Sequence, residues 1–162
     1  MIQYRYWLTF VRAKTLEYYL EFYCDGARNK ITRLNLIQRL LAAFNLLVLP
    51  LVSKYPYLVA TLTFIAQGVT IAIPFQPEYQ QYNILPDALA KMKSVANKMH
   101  EKWHYVANGK LTEEEIEEEV KNFLLEIENI ENNIQKKLYL RSNSRIIAMA
   151  KNETEEYFKN YG

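Results

Sequence analysis

The chain has 162 residues, with 20 basic and 18 acidic side chains and a formal net charge of +2. That charge is too small to indicate nucleic-acid binding by itself. The single cysteine, Cys24, excludes an internal disulfide and a thiolate metal cluster, and four glycines leave little room for a phosphate-binding loop, so no cofactor is expected.

The first predicted element is an aromatic amphipathic helix over residues 4–23, which Asp25 and Gly26 should end. Its apolar positions recur at helical spacing: Tyr4, Trp7, Leu8, Val11, Thr15, Tyr18, Tyr19 and Phe22. Charged residues interrupt the segment and no small-residue cleavage site follows, which argues against a signal peptide. We expect this helix in the cytosol, either packed against a helical bundle or lying in the inner headgroup layer.

A new helix should begin at Ala27 and continue into the first of two apolar runs, residues 34–52 and 55–75. The second run has no charged residue in 21 positions. As a helix it would be roughly 31 Å long, about the thickness of a bilayer's hydrocarbon core. Arg39 interrupts the first run, but an arginine near a helix end can reach the headgroups. The pattern predicts a transmembrane hairpin; the alternative is a buried helical hairpin in a soluble protein.

Basic residues flank both runs. The first run follows Arg28, Lys30, Arg33 and Arg39, the second is followed by Lys91, Lys93, Lys98 and Lys102, and the turn carries only Lys54. By the positive-inside rule, both chain ends face the cytoplasm of a membrane that the chain crosses twice. The basic segment before the first run can bind anionic lipids or can serve only as the topology signal.

A neutral polar stripe, Thr63, Gln67 and Thr70, follows one face of the second apolar run. In lipid such a stripe should face protein or water, either in hydrogen bonds between helices or as the lining of a pore. No acidic or basic ring accompanies it, so strong ion selectivity is not expected.

After a linker over residues 76–83, three more helices are predicted. The first begins at Ile84, ends at Asn108-Gly109 and has this apolar stripe: Leu85, Ala88, Leu89, Met92, Val95, Ala96, Met99, Trp103 and Val106. Thr112 and Glu115 form a capping box for the next helix. Its apolar residues make a heptad-like seam that we interpret as an oligomerisation surface: Ile116, Val120, Phe123, Ile127, Ile130, Ile134 and Leu138.

A last helix over about residues 143–161 completes an all-α fold. The C-terminal helices should pack together, either within a protomer or across an oligomer. The predicted organisation is a cytosolic amphipathic helix and basic stalk (1–33), a transmembrane hairpin (34–75) and a cytosolic helical bundle (76–162).

His100, Glu101 and His104 match the H-E-x-x-H pattern of zinc metalloproteases. On a helix, two histidines at i and i+4 can share a zinc ion while the glutamate polarises a water molecule. Lys102 stands where zincins have an uncharged residue, and no predicted strand could hold a peptide. A third ligand would have to come from the downstream glutamates, such as Glu126 and Glu128. We therefore favour a structural histidine pair and expect no catalysis.

The arrangement of a cytosolic helix, a basic segment, two spans with a short outer turn and a long helical tail resembles the SLATT family of two-transmembrane effectors of bacterial conflict systems. The resemblance covers about residues 5–135 and includes the approach to the membrane from Ala27-Arg28 to Asn45. It implies a pore-forming effector of the bacterial inner membrane, released by a partner nucleotidyltransferase or a nucleotide signal. It implies no catalytic residues.

The leading functional prediction is therefore an antiviral membrane effector that forms a homo-oligomeric pore and depolarises the membrane of an infected cell. Two helices cannot enclose water, so a pore requires several copies around an axis. The alternatives are a membrane-anchored helical adaptor without conductance and the zinc metalloprotease.

Overall fold

The computed structural model describes residues 1–48, 54–138 and 143–160. All regular secondary structure of the described residues is helical, in agreement with the all-α prediction. The elements are α1 (Ile2–Val48), α2 (Pro56–Ala72) with a 3-10 turn at Ile73–Phe75, α3 (Pro77–Ala107), α4 (Glu113–Lys137) and α5 (Ser144–Lys159).

The chain divides into two compact units. The bundle unit consists of Met1–Asp25 and Asn83–Gly162, and the hairpin unit consists of Gly26–Tyr82. The first part of α1, up to Asp25, therefore packs with the C-terminal helices. The boundaries between the units follow Asp25 and Tyr82, whereas the predicted segments were divided after residues 33 and 75.

The predicted helix stop at Asp25-Gly26 is wrong, because α1 continues through both residues to Val48. A glycine inside a helix costs only about 1 kcal/mol relative to alanine, which flanking helical turns can offset. Gly26 does not adopt a left-handed conformation; among the described residues only Gly109 has a positive φ, of 64°. The predicted stop nevertheless coincides with the boundary between the two units.

The predicted linker over residues 76–83 is also wrong, since α3 begins at Pro77. Proline suits the first position of a helix because the amide hydrogen it lacks would have no helical acceptor there. Pro86 lies further inside α3 and cannot donate a hydrogen bond to the carbonyl of Tyr82. That missing bond falls at the last residue of the hairpin unit.

The predicted C-terminus of α3 and the predicted N-terminus of α4 are confirmed. Gly109 adopts the left-handed conformation directly after α3, and its amide donates to the Val106 carbonyl at 3.2 Å. At the start of α4, the Glu115 amide donates to the Thr112 hydroxyl and the Thr112 amide donates to the Glu115 carboxylate at 2.7 Å. These reciprocal bonds satisfy amides that have no partner within the helix.

The bundle unit has a continuous apolar core built from α1, α3 and α4, with α5 packed beside them. The predicted stripes of α3 and α4 point into this core. The predicted face of the N-terminal helix is wrong, because Tyr4 and Leu8 are exposed while the buried side lies around Tyr6, Phe10 and Leu20. The Tyr6 hydroxyl donates to the Met99 carbonyl at 3.0 Å. Of the two alternatives for this helix, packing against the bundle is confirmed.

Candidate functional site

The outstanding feature of the hairpin unit is an apolar helix that the chain leaves uncovered. The stretch Pro56–Phe75 has a mean hydropathy of 1.8 in its most apolar window, of which only 17% is buried. By length and composition it is the one stretch among the described residues that could cross a membrane. The first predicted span is described only as far as Val48, and its last residues, 49–52, lie outside the described residues. A two-pass membrane location therefore stays a prediction.

Within the hairpin unit, the second half of α1 meets α2 at a seam that includes Gln38 and Ala42 of α1. The buried side chains are Val59 and Ala66 of α2 and Ile73 of the 3-10 turn that follows it, seven residues apart, which places them on one face. Gln38 and Ala42 of α1 line a groove of about 260 Å³ together with three residues of α2: Gln67, Thr70 and Ile71. Gln38 was not singled out in the sequence analysis, because a lone glutamine before an apolar run carries no recognisable pattern.

Outside this seam the hairpin unit exposes large apolar side chains. Of the twenty exposed large hydrophobic residues found among the described residues, fourteen belong to the hairpin unit: Leu36, Ile37, Leu40, Phe44, Leu46, Tyr55, Tyr57, Leu58, Phe64, Ile65, Val69, Ile71, Phe75 and Tyr82. A soluble monomer rarely exposes an apolar patch of more than a few hundred Å². Exposed apolar side chains in this number are typical of a surface that contacts protein or membrane.

The predicted pore-lining residues do not share one environment. Thr63 and Thr70 are half-buried on the side of the α1 seam, and the Thr70 hydroxyl donates to the Ala66 carbonyl at 3.0 Å. Gln67 is exposed beside that seam. The structure thus separates the stripe into two threonines that face the neighbouring helix and one glutamine that remains accessible.

The charges of the hairpin unit are unbalanced. No Asp or Glu occurs between Asp25 and Glu78 in the sequence, whereas five cations do: Arg28, Lys30, Arg33, Arg39 and Lys54. The single carboxylate of this unit, Glu78, can neutralise at most one of them. The bundle unit differs, because several of its cations pair with carboxylates of the same unit, as in Arg12–Glu131 at 2.9 Å and Lys93–Glu21 at 3.1 Å.

The heptad-like residues of α4 lie in the core of the bundle unit rather than on its surface. All seven residues of the predicted oligomerisation seam are buried in a single chain: Ile116, Val120, Phe123, Ile127, Ile130, Ile134 and Leu138. Of the two packing arrangements predicted for this face, the structure has the one within a protomer. A second copy could reach these side chains only if the bundle opened.

The two histidines of the H-E-x-x-H pattern lie side by side on α3, with ring centroids 5.6 Å apart. The Nδ1 atom of His100 forms a hydrogen bond with the Tyr157 hydroxyl of α5 at 2.9 Å. Glu126, one of the two glutamates considered as a third ligand, pairs with Lys98 at 3.3 Å. In the part of the chain that the structure describes, no three His, Cys, Asp or Glu side chains are grouped to hold a metal ion. The hydrogen bond with Tyr157 gives His100 a contact between α3 and α5, and the structural histidine pair stays a prediction.

A buried ion pair in α1 was not predicted from the sequence. Lys14 and Glu17 are joined at 2.8 Å, and their side chains are only 9% and 7% exposed. The Lys14 ammonium also lies 4.5 Å from the centre of the Tyr157 ring, whose hydroxyl meets His100. The i, i+3 spacing of opposite charges was visible in the sequence, but it usually marks a solvent-exposed pair. Here it connects α1, α3 and α5.

Burial affects the titration of two further groups of the bundle unit. Desolvation, followed by the charges of Asp25 and Glu21, raises the pKa of the Cys24 thiol to about 11. Desolvation and the neighbouring Tyr23 raise the pKa of Tyr19 to about 12. Because the thiolate is the nucleophilic form of cysteine, Cys24 is poorly suited to nucleophilic chemistry at neutral pH.

No family model, curated protein or solved structure matches this chain.

Proposed function

We propose that this chain is a membrane-embedded effector whose hairpin unit inserts into the bilayer and, in several copies, forms a conducting pore. The observation that carries the proposal is the exposure of Pro56–Phe75, a twenty-residue apolar helix of which only 17% of the most apolar window is buried. The core helix of a soluble protein would be mostly covered by its own chain. Lipid is a cover that suits this surface on every side except the seam with α1.

The inner part of the hairpin supports this proposal. In lipid the hydrophobic effect does not hold two helices together, so they associate through close packing and hydrogen bonds between polar groups. Small and polar residues of the α1–α2 seam, including Ala66, Thr70 and Gln38, match that requirement. Aromatic residues at the ends of α2, Tyr55, Tyr57 and Phe75, have the amphipathic rings favoured at headgroup level.

The conducting assembly follows from the resemblance to SLATT effectors and from one exposed side chain. Gln67 is polar and exposed, and it lies beside the groove that Gln38 and Thr70 also line. In an oligomer of hairpins it can satisfy its amide against water in a central path, where isolated hairpins would hold it against lipid. The α4 seam is occupied within each chain, so copies would associate through the hairpin surfaces. A partner nucleotidyltransferase or nucleotide signal would act on the bundle unit.

Membrane insertion is tested first by extraction. The full chain is produced in bacteria, and membranes are washed with alkaline carbonate and then with a mild neutral detergent. We expect the protein to remain with the membrane in carbonate and to enter solution only with detergent. Recovery as a water-soluble monomer without detergent would overturn the proposal, because the apolar surface would then need no lipid.

Conductance is tested with the purified protein in planar bilayers, with and without nucleotides. We expect discrete current steps from the wild-type chain and their reduction by at least half in Gln67→Leu. Thr61→Val is the matched control, since Thr61 is an exposed polar residue on another side of α2 whose hydroxyl donates to the Tyr57 carbonyl. Equal currents in wild type and Gln67→Leu would contradict a path lined by this residue.

A second candidate function is a membrane-anchored adaptor, in which the hairpin only tethers the bundle unit. The half-buried position of Thr63 and Thr70 favours it, because side chains that α1 partly covers are less available to line a pore. An adaptor would give no current in any of these experiments while still requiring detergent for extraction.

A further inference from the structure

We infer that the hairpin unit carries a binding site for an anionic phospholipid headgroup, formed on one side of α1 by Arg39 and Asn35, with Thr32 and Arg28 beyond them. The inference rests on the proposed membrane insertion and adds a specific lipid to it. Phosphatidylglycerol is the proposed ligand class, since its headgroup presents a phosphate with a net negative charge.

The first argument is the charge imbalance of this unit. Five cations are accompanied by one carboxylate, so most of their counter-charge has to come from outside the unit. In aqueous solution small ions would suffice, but Arg39 lies beyond the start of the apolar run at residue 34. A cation near the hydrocarbon boundary is costly unless it pairs, and the anions present at that depth are lipid phosphates.

The second argument is the placement of these residues on the helix. Arg28, Thr32, Asn35 and Arg39 are spaced four, three and four residues apart, so they form one stripe along α1. All four are exposed. The buried residues of the same stretch, Ala27 and Ile31, border this stripe on one side, with Ile31 about 40° around the axis from Asn35, so the four exposed residues lie next to the packed face.

The depth of Arg39 fits a headgroup contact. Its neighbour Gln38 lines the same groove as Gln67 and Thr70, so this turn of α1 lies beside the last third of α2. Arg39 is five residues past the start of the apolar run, which is about 7.5 Å along the helix axis. Helical side chains lean toward the N-terminus, which for α1 is the basic, headgroup side, so the guanidinium of Arg39 extends back toward Asn35.

Asn35 is held by a residue from the other end of the unit. The Tyr79 hydroxyl donates to Asn35 Oδ1 at 2.8 Å, which occupies the acceptor of this amide. The amide NH₂ group of this exposed residue is its remaining hydrogen-bonding group, and it is a donor. Together with the forked donors of a guanidinium, it offers several N–H groups to the oxygens of one phosphate. A topology signal needs only the basic side chains, so it does not account for the hydrogen bond by which the Tyr79 hydroxyl orients the exposed Asn35.

The test measures lipid retention by the full chain. The protein is purified in a neutral detergent and mixed with equal amounts of phosphatidylglycerol and phosphatidylcholine with identical acyl chains, and bound lipids are counted by native mass spectrometry. We expect about a fivefold preference for phosphatidylglycerol, the effect of roughly one cation near an anionic headgroup. Arg39→Gln should reduce that preference to less than twofold.

Arg33→Gln is the matched control, because it removes the same charge from the same helix but lies on a different side, more than 100° around the axis from both Arg28 and Arg39. It should keep most of the preference, and circular dichroism should show unchanged helicity in both variants. Equal losses in the two variants would overturn the site in favour of diffuse attraction by the basic segment. Displacement of phosphatidylglycerol by millimolar inorganic phosphate would overturn it in favour of a free-phosphate site.

Different results would contradict the membrane insertion and the headgroup site. If the protein requires detergent but shows no lipid preference, the headgroup site is wrong and membrane insertion stands. If the protein is soluble without detergent, both are wrong.

Discussion

The bundle unit and the hairpin unit place the same kinds of side chains in opposite ways. Phe10 of the bundle unit is 1% exposed, whereas Phe64 of the hairpin unit is 78% exposed. In the bundle unit, apolar residues of α1, α3 and α4 cover one another, which is how a helical domain is stabilised in water. In the hairpin unit, one narrow seam is covered and the remaining apolar surface is open. The proposed insertion of the hairpin unit into a bilayer would account for this difference, because lipid rather than water would then cover its apolar surface.

Charges repeat the contrast. In the bundle unit Lys98 of α3 pairs with Glu126 of α4, and Arg12 of α1 pairs with Glu131 of α4. The hairpin unit has five cations and one acid in its sequence. A water-soluble surface usually mixes both signs. An excess of cations next to an apolar helix is favoured at a membrane boundary, because anionic headgroups can pair with the cations.

The largest expected effect comes from exchanging the two phenylalanines for alanine. Phe10→Ala should lower the free energy of unfolding of the bundle unit by about 3–5 kcal/mol, since it removes a fully buried ring. Phe64→Ala should change the free energy of unfolding of the hairpin unit by less than about 0.5 kcal/mol, because the exposed Phe64 ring has few protein neighbours to lose. Denaturant titration in detergent, followed by circular dichroism, measures both. A similar loss in Phe64→Ala would mean that the hairpin unit is covered by protein, and the contrast between the units would fail.

The next effect concerns the buried ion pair of α1. Glu17→Gln should lower the free energy of unfolding by about 3 kcal/mol, because it leaves the Lys14 ammonium without its partner in a site that excludes water. Replacing both, as in Lys14→Met with Glu17→Leu, should recover most of that loss. The control is Asp87→Asn, which breaks the exposed Lys91–Asp87 pair and should cost about 0.5 kcal/mol or less. If Glu17→Gln and Asp87→Asn had equal effects, the pair would be accessible to water.

The smallest effect is at the start of α4. Thr112→Ala should cost about 1 kcal/mol by removing the helix cap. Hydrogen bonds from the Thr112 amide and hydroxyl hold the pKa of Glu115 below its ordinary value of 4.5. A carboxylate with a lowered folded-state pKa stabilises the fold above the unfolded-state pKa, and this contribution is lost as pH falls through the folded-state value.

The stability of the wild-type bundle unit should therefore decline below about pH 4.5, and part of that decline should be absent in Glu115→Gln. Thermal melting between pH 3 and pH 7 measures the difference. Glu114→Gln is the control, because Glu114 also lies in the first turn of α4 but is not part of the capping box. Identical pH profiles of wild type and Glu115→Gln would contradict the assigned cap.

Local patterns predicted most helices well and two boundaries badly. The C-terminus of α3 depends on Gly109 and the N-terminus of α4 depends on Thr112, each within a few positions of the helix end. Both were confirmed. Gly26 and the segment before Ile84 were read by the same rules and assigned wrongly. A glycine or a proline stops a helix only when flanking turns cannot offset its cost, and those turns are held by packing that a local pattern does not contain.

The sequence by itself determined the helical content, the apolar length of α2, the segregation of acids from residues 26–77 and the stripes of α3 and α4, because each depends on composition or on spacing along one helix. Only the tertiary structure decided which side of α1 is buried, since aromatic residues occur on several of its faces. It also placed Lys14 and Glu17 in the core, joined His100 to Tyr157 and enclosed the α4 seam within one chain. These outcomes depend on side chains that are distant in sequence and meet only after the helices have packed.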